Sequence, residues 1–185
     1  DVVMRLLEDS DVMIESYRKG AMDRLGLGQE EVRKRHPRLI YASISGFGRT
    51  GPLSHLPGYD LMAQAFSGIM SVTGERNGGP VRAAFSPLDQ TTGIWAAFGI
   101  LAALRERDAT GVGRFLEVSL YETAMAFLGY TSQIYWETGR TPPRSGTSHE
   151  SLCPYQVFPA KDGEIMIGVG NDSLFRSYCV AAGMP

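Results

Sequence analysis

Apolar positions recur with helical spacing at Val2, Val3, Leu6 and Leu7, so the chain is expected to open with a helix over residues 1–9. SDVMIESY then predicts a short buried strand, and RKGAMDRLGLG a turn with a short helix closed by Gly26 and Gly28. GQEEVRKRHP has the polarity of a surface helix stopped by Pro37. RLIYASISGFG is β-branched and aromatic, which predicts a strand over 38–45. A loop rich in glycine and proline follows, then an apolar helix over 59–71 with small residues that allow close packing. The turn region ERNGGPVRA leads into the longest apolar stretch, FSPLDQTTGIWAAFGILAAL, which predicts a helix from about Gln90 to Arg107. GVGRFLEVSL reads as a strand and YETAMAFLGYTSQIYWETG as a long helix ending at Gly139.

Strands alternating with helices in units of this length predict an α/β architecture with a parallel sheet over residues 1–139. The texture changes at 140–150, where RTPPRSGTSHE is polar and carries two prolines, as a linker does. Beyond it, YQVFPAKDGEIMIGVGN predicts two strands around a Lys-Asp-Gly turn, with a helix near 172–182; a second, smaller domain is expected over 151–185.

Composition narrows the function classes. The 185 residues are 43% hydrophobic and 21% charged with a formal net charge of −2, values of a globular protein without the charge excess that nucleic acid or an anionic membrane surface would need. No run reaches the ~18 uncharged apolar residues expected of a membrane span. Cys153 and Cys179 lack metal-ligand spacing and are too few for a disulfide framework, so a reducing cytoplasm is the expected compartment. The chain starts at Asp1 and stops after AAGMP, and it is read as a fragment of a longer polypeptide.

Asp89 is the one acid in the long apolar stretch. Standing before the expected helix, it has the place of an N-cap, where a carboxylate accepts a backbone N–H and favours the helix dipole. The same place would hold an ionised carboxylate ready to act as a covalent nucleophile on an activated carbonyl, and the sequence leaves both readings open. The three histidines are scattered without zinc spacing, and no G-x-S-x-G elbow, P-loop or G-x-G-x-x-G occurs. Arg18, Lys19 and Arg24 surround a glycine-punctuated turn directly after a predicted strand. Such a turn is either a solvated basic surface or a phosphate site at the carboxyl end of a parallel strand.

Five segments in order carry a resemblance: SYRKGAMDRLGLG, PRLIYASISGFGRTGP, PGYDLMAQAFSGIMSVTG, SPLDQTTGIWAAFGILAALRERDATGVGRFLEVSL and PYQVFPAKDGEIMIGVGN. Together they resemble the class III (CaiB/BaiF type) coenzyme A transferases, a family that also contains the α-methylacyl-CoA racemases. The resemblance implies a large Rossmann-like domain, a smaller α+β domain, and two identical subunits interlocked like chain links. It implies that Asp89 is the catalytic carboxylate, which takes up the acyl group of an acyl-CoA and passes CoA to an acceptor carboxylic acid. No metal is part of that chemistry. By position it assigns Ser16, Tyr17 and Arg18 to the CoA nucleotide, Arg24 to the CoA phosphates and Leu25 to the adenine. It assigns Leu56, Pro57, Gly58 and Tyr59 to the loop beside the pantetheine.

The racemase branch uses a histidine in a Gly-His-Asp turn for proton exchange, whereas this chain has Gly58-Tyr59-Asp60. A phenol with pKa near 10 is a poor base at neutral pH, which favours the transferase reading. A non-catalytic CoA-binding subunit is the third alternative. The glycine-rich loop that covers the site in formyl-CoA transferases has no clear counterpart, SGTSHE at 145–150 lying in its neighbourhood.

Overall fold

A strand apolar on both faces belongs in the middle of a parallel sheet, and LIYAS has that pattern. In the computed structural model, which describes residues 2–184, β2 (Ile40–Ser45) is the central strand, with Ile40 to Ser43 all buried. It pairs in parallel with β1 (Val12–Glu15) on one side and β3 (Phe115–Ser119) on the other. Asp1 and Pro185, the outer ends of the two expected domains, lie outside the described residues.

The chain divides into two units. The first holds the residues up to Ile69 together with Arg82–Arg140 and contains the parallel sheet. Its helices are α1 (Val2–Leu6, continued by a 3₁₀ turn over Leu7–Asp9), α2 (Ala21–Arg24), α3 (Gln29–Arg35), α4 (Asp60–Ser67), α6 (Pro87–Thr110) and α7 (Leu120–Thr138), with α5 (Ile69–Val72) beginning at its edge. One core cluster joins Leu7, Val32, Leu39 and Tyr41, flanked by Met4, Met13, Leu27 and Phe115. The Tyr41 hydroxyl donates to the Leu27 carbonyl at 2.9 Å. Burial, reinforced by the charge of Glu15, pushes that phenol up to about 12, so it stays a protonated donor.

A second cluster joins Ala63 of α4, Leu88 of α6, and Leu120 and Ala124 of α7. The alanines let the three helices approach closely. A buried Thr92 hydroxyl donates to Thr123 at 2.8 Å, and Thr123 in turn donates to the Ser119 carbonyl, tying α6 to α7.

Several boundaries differ from the pattern reading. The expected helix over 59–71 is divided at Gly68 into α4 and α5. The helix α7 is interrupted at Gly129, whose φ of 46° and ψ of −123° are closed to residues with a Cβ. Most consequentially, α6 starts at Pro87, three residues before the expected Gln90. Proline suits the first helical position because its missing N–H would have no partner there.

The second unit comprises Met70–Val81 and the residues from Thr141 onward. In it β4 (Tyr155–Ala160) and β5 (Gly163–Gly168) form an antiparallel hairpin whose two-residue turn is Lys161-Asp162, and α8 (Asp172–Ala181) follows. Asn171 caps α8 by accepting from the Leu174 N–H at 3.0 Å. Arg144, from the stretch expected to be a linker, donates to the carbonyls of Ser71 and Gly78. Among the described residues no helix is long and apolar enough to cross a membrane.

Candidate functional site

Parallel strands deliver the loops at their carboxyl ends to one edge of the sheet, where α/β proteins bind ligands. Here the loop after β1 (Ser16 to Lys19), the loop after β2 (Ser45 to Arg49) and the segment from Ser54 to Tyr59 enclose a cavity of about 160 Å³. Gly46 and Gly58 hold the last two together. A Cβ on Gly46 would sit 2.5 Å from the Gly58 Cα, and one on Gly58 would sit 2.4 Å from the Gly46 Cα, so the two backbones touch as only glycines allow.

Arg49, one of the lining residues, is held by a polar row across the sheet. Glu15, Ser43 and Glu117 are register partners on β1, β2 and β3, so all three lie side by side. Arg49 fastens the row. Its Nη1 donates to Glu15 Oε1 and to Ser43 Oγ, each at 2.8 Å, and its backbone N–H donates to Glu117 Oε1. Glu15 is 4% exposed, and its second oxygen accepts from the Tyr17 N–H at 2.9 Å. One buried carboxylate thus anchors both the loop after β1 and the loop after β2. Cations line the cavity as well: Arg18, Lys19 and Arg49 all contribute, with Lys19 Nζ donating to Ser54 Oγ at 3.1 Å.

Asp60 follows the cavity-lining Tyr59 and is buried. Its Oδ2 accepts from the backbone N–H of Leu88 at 2.8 Å and of Asp89 at 3.2 Å, while its Oδ1 accepts from Gln64 Nε2. Gln64, one turn along α4 and fully buried, clamps Ala83 from both sides: Oε1 accepts the Ala83 N–H at 2.9 Å and Nε2 donates to the Ala83 carbonyl at 3.3 Å. The segment between, ending at Ser86, carries the one positive φ among the described non-glycine residues, 49°. Strain of that kind persists only where the surroundings impose it, and Pro87 with the Asp60–Gln64 pair does so here.

The cap of α6 is therefore Asp60, not Asp89. Asp89 lies within the first turn of the helix; Ser86, at the N-cap position, makes no side-chain cap bond, and a residue 29 positions earlier satisfies the amides instead. The Asp89 carboxylate is exposed and accepts no hydrogen bond from the described residues. Desolvation first, and then the charge of Asp60, raise its pKa above the ordinary value.

The structure brings Ser16, Tyr17, Arg18, Leu56, Pro57, Gly58 and Tyr59 to one cavity. Asp89 is not in that lining; it is joined to it through Asp60, which bonds its amide and adjoins Tyr59. Arg24 ends α2 and is exposed, its Nη1 lying over Gly20, and Leu25 is 64% exposed; neither lines the cavity. Pattern reading leaves out Arg49, Glu15, Asp60 and Gln64. The Asp-x-x-x-Gln spacing on a helix is the available signal for the last two.

The chain is 43% identical over 185 residues to the acetyl-CoA:oxalate CoA-transferase of Acetobacter aceti, matching all of this chain and 48% of that protein. It is 40% identical over 184 residues to the succinyl-CoA:glutarate CoA-transferase of Mus musculus, matching all of this chain and 42% of the relative. The crystal structure of a CaiB/BaiF family protein from Brucella suis superposes with a TM-score of 0.85 at 36% identity, covering 99% of this chain and 48% of the other. The chain thus spans about half the length of the proteins it matches. The description of CoA-transferase family III fits residues 1–185 throughout, and the chain belongs to that family.

Proposed function

We propose that the protein transfers coenzyme A from an acyl-CoA thioester to a carboxylic acid through a covalent intermediate on Asp89. The observation that carries this reading is the freedom of the Asp89 carboxylate: Asp60 takes the capping bonds, and the acid at the start of α6 is left exposed with a raised pKa. A carboxylate of raised pKa is a better nucleophile than an ordinary one, and the positive end of a 24-residue helix lies beside it.

In the proposed cycle Asp89 attacks the thioester carbonyl, the C–S bond breaks, and CoA leaves as the thiolate with a mixed anhydride left on the enzyme. The thiolate attacks the aspartyl carbonyl and releases the donor acid. The acceptor carboxylate then attacks the aspartyl-CoA thioester, freeing the thiolate and forming a second anhydride. Attack of the thiolate on the acceptor's carbonyl gives the new acyl-CoA and restores Asp89. Every step exchanges one acyl oxygen or sulfur for another, so no redox partner is needed. Arg18 and Lys19 in the cavity supply charge for the CoA phosphates, with Ser16, Tyr17 and Leu56 to Tyr59 beside them. Arg24 and Leu25 stay at the rim of this assignment, as outer contacts to phosphate and adenine. Oxalate and glutarate in the relatives' names make short dicarboxylic acids the acceptors to test first. The proposed setting is a cytoplasmic, interlocked homodimer.

The racemase reading loses support at the same turn. Asp60 follows Tyr59 where the racemases have Gly-His-Asp, and its carboxylate is fully engaged with Leu88, Asp89 and Gln64.

The test is hydroxylamine trapping. Full-length protein incubated with acyl-CoA and hydroxylamine is expected to gain a hydroxamate at Asp89, read by peptide mass. Asp89→Asn should give none, with its melting midpoint unchanged because the cap is elsewhere. An unmodified Asp89 during active turnover would overturn the covalent role.

A further inference from the structure

We infer that Asp60 and Gln64 form a positioning pair for Asp89, joined by a hydrogen bond that in this chain runs from residue 64 to residue 60. The inference rests on the reading of Asp89 as nucleophile. Its own observation is the direction of the bonds in a buried chain of groups. The Leu88 and Asp89 amides are donors, so the atom of residue 60 facing them must accept. The Ala83 N–H is a donor, so the atom of residue 64 facing it must accept, which leaves the Gln64 Nε2 to donate towards Asp60. Both Asp60 oxygens therefore act as acceptors, while Gln64 acts as acceptor through Oε1 and as donor through Nε2. Both side chains are buried, Asp60 at 4% exposure and Gln64 at 0%, so water cannot replace a lost partner.

The consequence for the site is positional. Asp60 fixes the amide of Asp89 itself, and Gln64 fixes Ala83, the far end of the strained segment that leads into α6. Without an acceptor at residue 60, the α6 amides would draw on the nearest carboxylate. Asp89, in the first turn, can fold back over the start of the helix as the third-position acids of capping boxes do. A nucleophile recruited as a cap is withdrawn from the thioester. Asp60 touches no reacting atom; it acts through Asp89.

The bond direction makes a reciprocal test. Asp60→Asn places an Nδ2 donor against the Gln64 Nε2 donor. Gln64→Glu places a carboxylate against the Asp60 carboxylate. When the two substitutions are combined, the amide oxygen at position 60 accepts from the α6 amides and the amide nitrogen donates to the carboxylate at position 64. That carboxylate still accepts from the Ala83 N–H, and the total charge is that of the wild type. The longer bond to the Ala83 carbonyl, 3.3 Å, is lost, and a carboxylate oxygen faces that carbonyl in its place. In the full-length enzyme each single variant is expected to lower kcat by about ten- to hundredfold, with KM for acyl-CoA changing by less than about threefold, since the cavity loops are held by other residues. The double variant is expected to recover kcat to within about threefold of wild type. Hydroxamate formation at Asp89 should follow the same order.

Singles with wild-type kcat would overturn the inference. So would a double variant no faster than the worse single, or losses confined to KM. If the singles do not fold, the double alone decides, because it restores the bond between the two positions with its direction reversed. Absence of hydroxamate in the wild type would instead overturn the nucleophile reading, and the pair's role with it.

Discussion

Asp89 occupies the place of a helix cap in the sequence and is relieved of that duty in the structure. The difference bears on its reactivity, because a capping carboxylate would be stabilised as an anion and its pKa lowered. Here desolvation and the neighbouring Asp60 charge act the other way. In the proposed cycle the reactive form is the carboxylate, so activity is expected to fall when Asp89 takes up a proton. The acid limb of the kcat/KM profile is therefore expected above the ordinary aspartate range, at a pKa higher than about 4. A limb at or below that value, measured with an acceptor whose own ionisation lies well outside the range, would show that Asp89 is not held as described. The proposed nucleophile stands out in the sequence as an acid in an apolar stretch. Its freedom does not, since that depends on Asp60 reaching across 29 positions.

At the scale of elements, three strands and the loop after β2 are held by one guanidinium and its own backbone. Arg49 joins Glu15 on β1 and Ser43 on β2 through its side chain and Glu117 on β3 through its N–H. The Glu15 side chain is 1% exposed, so removing Arg49 leaves a buried charge with the Tyr17 N–H but without its counter-ion. Arg49→Ala is expected to destabilise the full-length protein by about 3–5 kcal/mol, read as a lower urea midpoint with an unchanged slope. A loss below about 1 kcal/mol would place this pair with surface salt bridges. The strands themselves were legible: the β-branched and aromatic stretch RLIYASISGFG predicts a strand where β2 lies. The staple was hidden because its two charges are 34 residues apart, and the contact of Gly46 with Gly58 was hidden for a similar reason. Local pattern also misplaced the start of α6, where Pro87 and an acid from another helix set the boundary instead of Asp89.

For the whole molecule, the parallel sheet brings two loops to one edge, and Asp60 connects that edge to the start of α6. Tyr59 lines the cavity; the next residue bonds the Asp89 amide. Farther along α6, Ile94, Trp95, Phe98 and Leu101 are exposed apolar side chains, a surface that the proposed interlocked homodimer would cover. The central claim is that Asp89 exchanges oxygen with the substrates, and isotopic labelling tests it most directly. In the proposed cycle an oxygen of the acceptor acid bridges the second anhydride and stays on Asp89 when the thiolate departs with the acyl group. Turnover of full-length enzyme with acceptor acid bearing heavy oxygen in its carboxylate should therefore leave heavy oxygen in the peptide that contains Asp89, and nowhere else in the protein. Turnover that leaves this peptide at natural mass would mean that CoA passes between the substrates without Asp89 ever being acylated, which contradicts its role as nucleophile.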